Sequence, residues 1–139
     1  MEMSIRIADD PPLHGFSIGE LVFENPARGA SSRTEGSARC YMVFVELSVL
    51  LHQISQAIIN RSKMKYDLAG GGTINGDGRT GICDIELHGF KARTSLIEFL
   101  DQLRNLTRIH LDQLVDESGL EDPLVNDLRD GLGATGELF

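Results

Sequence analysis

Asp84, Glu86 and His88 stand two residues apart, so in an extended segment their side chains project from one face. Two carboxylates and an imidazole in a row are groups that ligate a divalent cation or move a proton. Between them lie Cys83, Ile85 and Leu87, and such apolar–polar alternation is what a half-buried antiparallel strand produces without any chemistry. Just upstream, Gly76, Gly78 and Gly81 spell G-x-G-x-x-G. That fingerprint holds a pyrophosphate only where the turn follows a strand and opens a helix. Ile82–Leu87 alternates instead, so the context predicts a hairpin tip and no nucleotide site. Asn75, Asp77 and Glu86 echo a calcium loop, but Arg79 and Thr80 stand where a ligand oxygen and a glycine are required.

Other catalytic signatures fail in the same way. There is no Gly-Lys-Ser/Thr to cradle phosphate and no G-x-S-x-G elbow. His14, His52, His88 and His110 have no H-x-x-x-H spacing. Cys40 and Cys83 lie in or beside apolar strand segments, without the electropositive helix-start setting that activates a thiol. The reading is therefore of a non-enzyme that needs no cofactor and no metal. Both cysteines are expected to be reduced and buried, because two are too few for a secreted disulfide framework.

Charge is the stronger signal. Residues 112–139 carry eight acids against Arg129, a net of −7, whereas the preceding 111 residues hold 13 acids and 12 bases, a net of −1. Clustered like charge projects a field that mixed charge does not. Such a field attracts a basic protein and repels nucleic acid and anionic lipid. The candidate partner-binding residues are Asp112, Asp116, Glu117, Glu121, Asp122, Asp127 and Asp130. The competing reading is an acidic surface that serves solubility alone. Met1–Arg6 lacks the apolar stretch of a signal peptide, and the residues show no apolar run of membrane-spanning length. These features point to the cytoplasm.

The elements that must position these residues follow from periodicity. Ser4–Ala8, then Phe16, Ile18 and Leu21–Phe23, read as strand material, and Cys40–Val45 reads as a central strand. Residues 25–39, with Pro26, Gly29 and Gly36, read as a mobile loop. From Leu47 the period becomes helical, predicting a helix over 47–60. Two alternating segments, 63–69 and 81–88, flank a stretch with six glycines and predict a hairpin. Ser95 and Glu98 have capping-box spacing and open a helix over 95–117. A last short helix starts with Asp122 as cap and Pro123 as first residue, and 131–139 should fray. The whole is one α+β domain over 1–139. A mostly antiparallel sheet of about five or six strands carries two main helices and a short C-terminal helix on one face.

A small acidic α+β chain without catalytic groups is similar in kind to the immunity proteins of bacterial polymorphic-toxin systems. The likeness lies in size, charge and layout over the whole chain, with no residue motif. It implies a protein that binds and blocks a basic toxin. The runner-up is a small-ligand or metal-binding domain, or a minor enzyme, using the Asp84/Glu86/His88 face. Residue spacing does not distinguish monomer from homodimer.

Overall fold

Two antiparallel sheets, not one, carry the strands. The computed structural model describes residues 2–8, 10–24, 35–40 and 42–136, without the side chains of 35 and 38–40. The first sheet has the order β1 (Glu2–Ile7), β2 (Gly19–Glu24), β3 (Glu35–Cys40). The second runs β4 (Lys63–Asp67), β5 (Thr73–Asp77), β6 (Ile82–Leu87), β7 (Phe90–Ser95). Between and after them come α1 (Val43–Asn60), α2 (Leu96–Ser118) and α3 (Pro123–Thr135). Both main helices touch both sheets, α1 on β2, β4 and β5 and α2 on β1, β6 and β7. The short helix α3 packs chiefly on α1 and α2, so it forms an outer layer and does not lie on a sheet.

The sheet faces follow residue alternation. In the second sheet Ile74, Cys83, Ile85, Leu87 and Phe90 turn inward and are buried. Lys63, Lys65, Asp84, Glu86, Lys91 and Arg93 fall on the opposite face. The inward set meets Phe44, Leu47, Leu50 and Leu51 of α1 and Leu96, Phe99, Leu100 and Leu103 of α2 in one hydrophobic cluster. Removing this much apolar surface from water is the main force holding the layers together.

Several sequence expectations need correction. The expected central strand Cys40–Val45 ends at Cys40, and Val43 opens α1, four residues ahead of the predicted start at Leu47. Nothing in the local sequence marks that start, because Met42 stands at the cap position without a side-chain cap. The orphan N–H of Val43 is satisfied by the Ser17 carbonyl at 3.2 Å, a partner distant in sequence. Val43 and Phe44 belong to the stripe that continues through Leu47, Leu50, Leu51 and Ile54. By length and apolar composition α1 reaches what a membrane span requires, against the expectation that no segment would, yet that stripe lies in the core.

The hairpin expected between 63–69 and 81–88 does not form. The glycine-rich stretch itself contributes a strand, β5, which separates the two and pairs antiparallel with both. Gly76 sits mid-strand there because an added Cβ would lie 2.9 Å from Leu96 Cδ1 and 3.1 Å from the Met64 side chain. The true turn is Gly78–Gly81, where Asp77 Oδ1 accepts from the Arg79 N–H at 2.8 Å and Gly81 has φ +72°. Strand β7 was not anticipated; Gly89 at φ +70° turns the chain into it tightly enough to place Leu87 opposite Phe90.

Of the expected mobile loop 25–39, residues 25–34 lie outside the described residues and 35–39 belong to β3. Phe16 and Ile18 precede strand β2, which starts at Gly19. The expected fraying from 131 starts too early, since α3 runs to Thr135 and buries Gly131 against Leu51; residues 137–139 are not described. The start of α2 matches its sequence signal, with Ser95 Oγ accepting from Glu98 N at 2.9 Å. The Glu98 carboxylate, however, accepts from the Thr94 hydroxyl at 3.1 Å.

Candidate functional site

The acidic residues of α2 and α3 divide into two groups with different work to do. Helix α2 ends where Gly119 takes φ +90°, and the chain turns into α3 through Asp122 and Pro123. At that corner Asp122 is the hub. Its Oδ1 accepts from the Leu124 N–H at 3.0 Å, capping α3. Its Oδ2 accepts from the Gly15 N–H at 2.8 Å and the Ser118 hydroxyl at 2.6 Å. Burial pushes the Asp122 carboxyl up, but the Ser118, Leu124 and Gly15 hydrogen bonds and the His14 charge outweigh it and hold it below its ordinary value. One turn earlier, Glu117 Oε1 accepts from the Leu13 N–H at 3.1 Å.

These two carboxylates fasten the 11–17 loop to the helical corner. Leu13 enters the core, and Gly15 passes so close to α3 that a Cβ there would lie 2.8 Å from Leu124 Cβ. Ser17, fully buried, exchanges hydrogen bonds with His14 and hands its carbonyl to the start of α1. Asp122 and Glu117, read from sequence as partner-binding, are thus bound to their own chain.

The other five expected site residues stand differently. Asp112, Asp116, Glu121, Asp127 and Asp130 are all exposed. Asp112 and Asp116 lie one turn apart on the outer side of α2, and Asp127 and Asp130 lie together on one flank of α3. The structure shows no ion pair to any of them among the described residues. Three carboxylates on the sheets are paired instead. Arg93 Nε meets Asp84 Oδ1 at 2.7 Å, Lys91 Nζ meets Glu86 at 3.6 Å, and Arg6 meets Glu20 at 3.1 Å, in each case from the directly opposite residue.

Asp84, Glu86 and His88 do share the outward direction expected of them, but each carboxylate is matched to a cation across the β6–β7 pair. His88 lies in the turn that follows β6, exposed. Among the described residues no three His, Cys, Asp or Glu side chains gather closely enough to hold a metal ion. Cys83 is buried and free, its thiol pushed up to about 12 by burial and by the neighbouring Asp84 charge. The expectation for Cys40 lies outside the described side chains.

Sequence reasoning missed Glu46, an acid buried in the first turn of α1. It accepts from the Ala69 N–H at 3.2 Å, tying the β4–β5 turn to the helix. Its only sequence signal was a carboxylate one position from Leu47. Two open grooves of about 370 Å³ each lie between α1 and β4 and between β1 and α2. Comparison with protein-family models, curated proteins and solved structures gives no match to this chain.

Proposed function

We propose that this chain is a non-enzymatic protein-binding module of the cytoplasm, and that it acts as an immunity protein does, blocking a basic partner toxin by occupying it. The docking residues are Asp112, Asp116, Glu121, Asp127 and Asp130. One observation supports this reading. The sheet carboxylates Asp84, Glu86 and Glu20 are neutralised by cations opposite them, while these five stand exposed without ion pairs among the described residues. Uncompensated charge on one side of a molecule steers an oppositely charged partner and fixes its register. Glu117 and Asp122 are set aside from the docking set because the 11–17 loop already occupies them.

The test compares two double variants on the polypeptide that co-purifies from the native cell. Asp112→Lys with Asp116→Lys reverses unpaired charge, and Asp84→Lys with Glu86→Lys reverses paired charge. The first should slow association at least tenfold and abolish protection of cells producing the partner; the second should leave both near wild type. Equal association rates for the two variants and wild type would reduce the acidic surface to a solubilising one.

A further inference from the structure

The first sheet ends in an open edge, and what lies along that edge is a matched set. Ala8 N–H donates to the Ile18 carbonyl at 2.9 Å, which makes residues 2, 4, 6 and 8 the ones whose backbone groups face β2. The N–H and C=O groups of Met3, Ile5 and Ile7 therefore point out of the sheet, with no bonded partner among the described residues. Beside this edge runs a groove of about 370 Å³ lined by Glu2, Met3, Gln102, Asn105, Leu106 and Ile109. Ile109 is 63% exposed, more than any other large apolar residue described. On the β1 side of Ile109 its neighbours along α2, Gln102, Leu106 and Gln113, are uncharged, while Asn105, Asp112 and Asp116 lie on its other side. In so acidic a helical region, an uncharged strip facing β1 with an exposed isoleucine at its margin has the composition of an interface core.

We propose that β1 pairs antiparallel with β1 of a second copy of this chain about a two-fold axis through Ser4, with the uncharged flanks of the two α2 helices meeting over the joint. The occupant is set by the charges on the strand. With Ser4 opposite Ser4, Met3 and Ile5 of opposite copies exchange backbone hydrogen bonds, and Glu2 of each copy faces Arg6 of the other. Arg6, already 3.1 Å from Glu20 in its own sheet, then lies between two carboxylates. An isologous contact needs this self-complementarity, because each group meets its partner twice. The free edge of β4 contrasts with it, since Lys63 and Lys65 lie along that strand and edge lysines discourage pairing. Asp112 and Asp116 lie on the far side of Ile109 from β1, next to the joint, which rests on the β1 edge and not on the docking proposal above.

Sedimentation equilibrium of the intact protein should give twice the 15.3 kDa chain mass. Ile109→Glu should return it to one chain mass with an unchanged circular dichroism spectrum, since that side chain is exposed in the single chain. Ser4→Cys should form an intermolecular disulfide on mild oxidation, because directly opposed residues of a non-hydrogen-bonded pair bring their Cα atoms to about 4.5 Å. Asn75→Cys, equally exposed on the other sheet, should not, and Ile109→Glu should suppress the Ser4→Cys bond. A single-chain mass for the wild type at every concentration, or a dimer unchanged by Ile109→Glu, would overturn the proposal. Crosslinking of Ser4→Cys no faster than Asn75→Cys would overturn the register.

Discussion

Asp122 and Asp116 are the same residue type six positions apart, and the structure gives them opposite tasks. Asp122 satisfies three donors that have no other acceptor at the corner, so its loss removes a helix cap and strands the Gly15 N–H. Asp122→Ala should cost about 2 kcal/mol, a cap of ~1 kcal/mol plus the penalty for a donor left unsatisfied. Glu117→Ala should cost about 1 kcal/mol through Leu13, and Asp116→Ala less than about 0.5 kcal/mol, as for an exposed side chain. Urea unfolding of the three variants checks the order, and a loss at Asp116 matching that at Asp122 would contradict it. Because the folded Asp122 carboxyl is held below its ordinary value of 3.8, its contribution is present above that pH. It disappears as pH falls through the depressed value, so the gap between wild type and Asp122→Ala should close in acid. At Cys83 the raised thiol pKa, about 12, leaves almost no thiolate at neutral pH. In a Cys40→Ser background a thiol reagent should therefore modify Cys83 only at the rate of unfolding; fast modification of the folded protein would refute this.

At the scale of elements, α2 carries a histidine where its inner face meets α1. His110 lies 6.0 Å from Phe44, ring centre to ring centre, at an angle of 52°. Burial lowers its pKa below the ordinary 6.5, with a side-chain hydrogen bond to Gln113, which favours the protonated ring, opposing the shift only in part. The unfolded chain then binds a proton at a pH where the folded one does not, so stability falls as pH drops through 6.5 toward the folded value. The slope cannot exceed one proton, about 1.4 kcal/mol per pH unit. His110→Gln should flatten that part of the stability profile, measured by urea unfolding from neutral to mildly acid pH. An unaltered slope would place the proton elsewhere. Helix α1 shows a different element-level rule. Its first turn, Val43–Glu46, holds two β-branched valines and no side-chain cap, and it is helical because Ser17 supplies the acceptor and the core takes Val43 and Phe44.

For the whole molecule, charge is arranged by surface and not only by segment. The sheet carboxylates Asp84, Glu86 and Glu20 are matched by cations opposite them, whereas the exposed acids on the outer sides of α2 and α3 have no ion pair among the described residues. The strip of α2 facing β1, Gln102, Leu106 and Gln113, carries no charge. Compensated charge has little long-range field, so the unpaired acids of α2 and α3 weigh most in the field the molecule projects. Association with a basic partner should therefore weaken in rate as salt shortens the Debye length to about 8 Å at physiological ionic strength. The same salt should leave the urea midpoint nearly unchanged, because exposed pairs such as Arg93–Asp84 contribute little to stability. A salt-independent on-rate for the wild type would count against steering.

Local pattern by itself determined much of this protein. The 3.6-residue stripe from Leu47 to Ile58, the Ser95 and Asp122 caps, the Ile5/Ile7 and Cys83/Ile85/Leu87 alternations and the acidic weight of the C-terminal region are properties of neighbouring residues. They could be read without knowing what each element would meet. Tertiary contact decided the rest. Gly76 reads as a turn residue, yet it lies inside β5 and is glycine because Leu96 and Met64 press against its backbone; Gly78 does lie in the turn that follows, held against the Ala57 carbonyl. Met42 shows no cap because the acceptor for α1 comes from Ser17. Seven acids look alike in sequence, but only folding brings Leu13 and Gly15 to Glu117 and Asp122 and leaves the other five facing water. A carboxylate's task depends on which donor lies within hydrogen-bond reach, and residues about a hundred positions away along the chain set that distance.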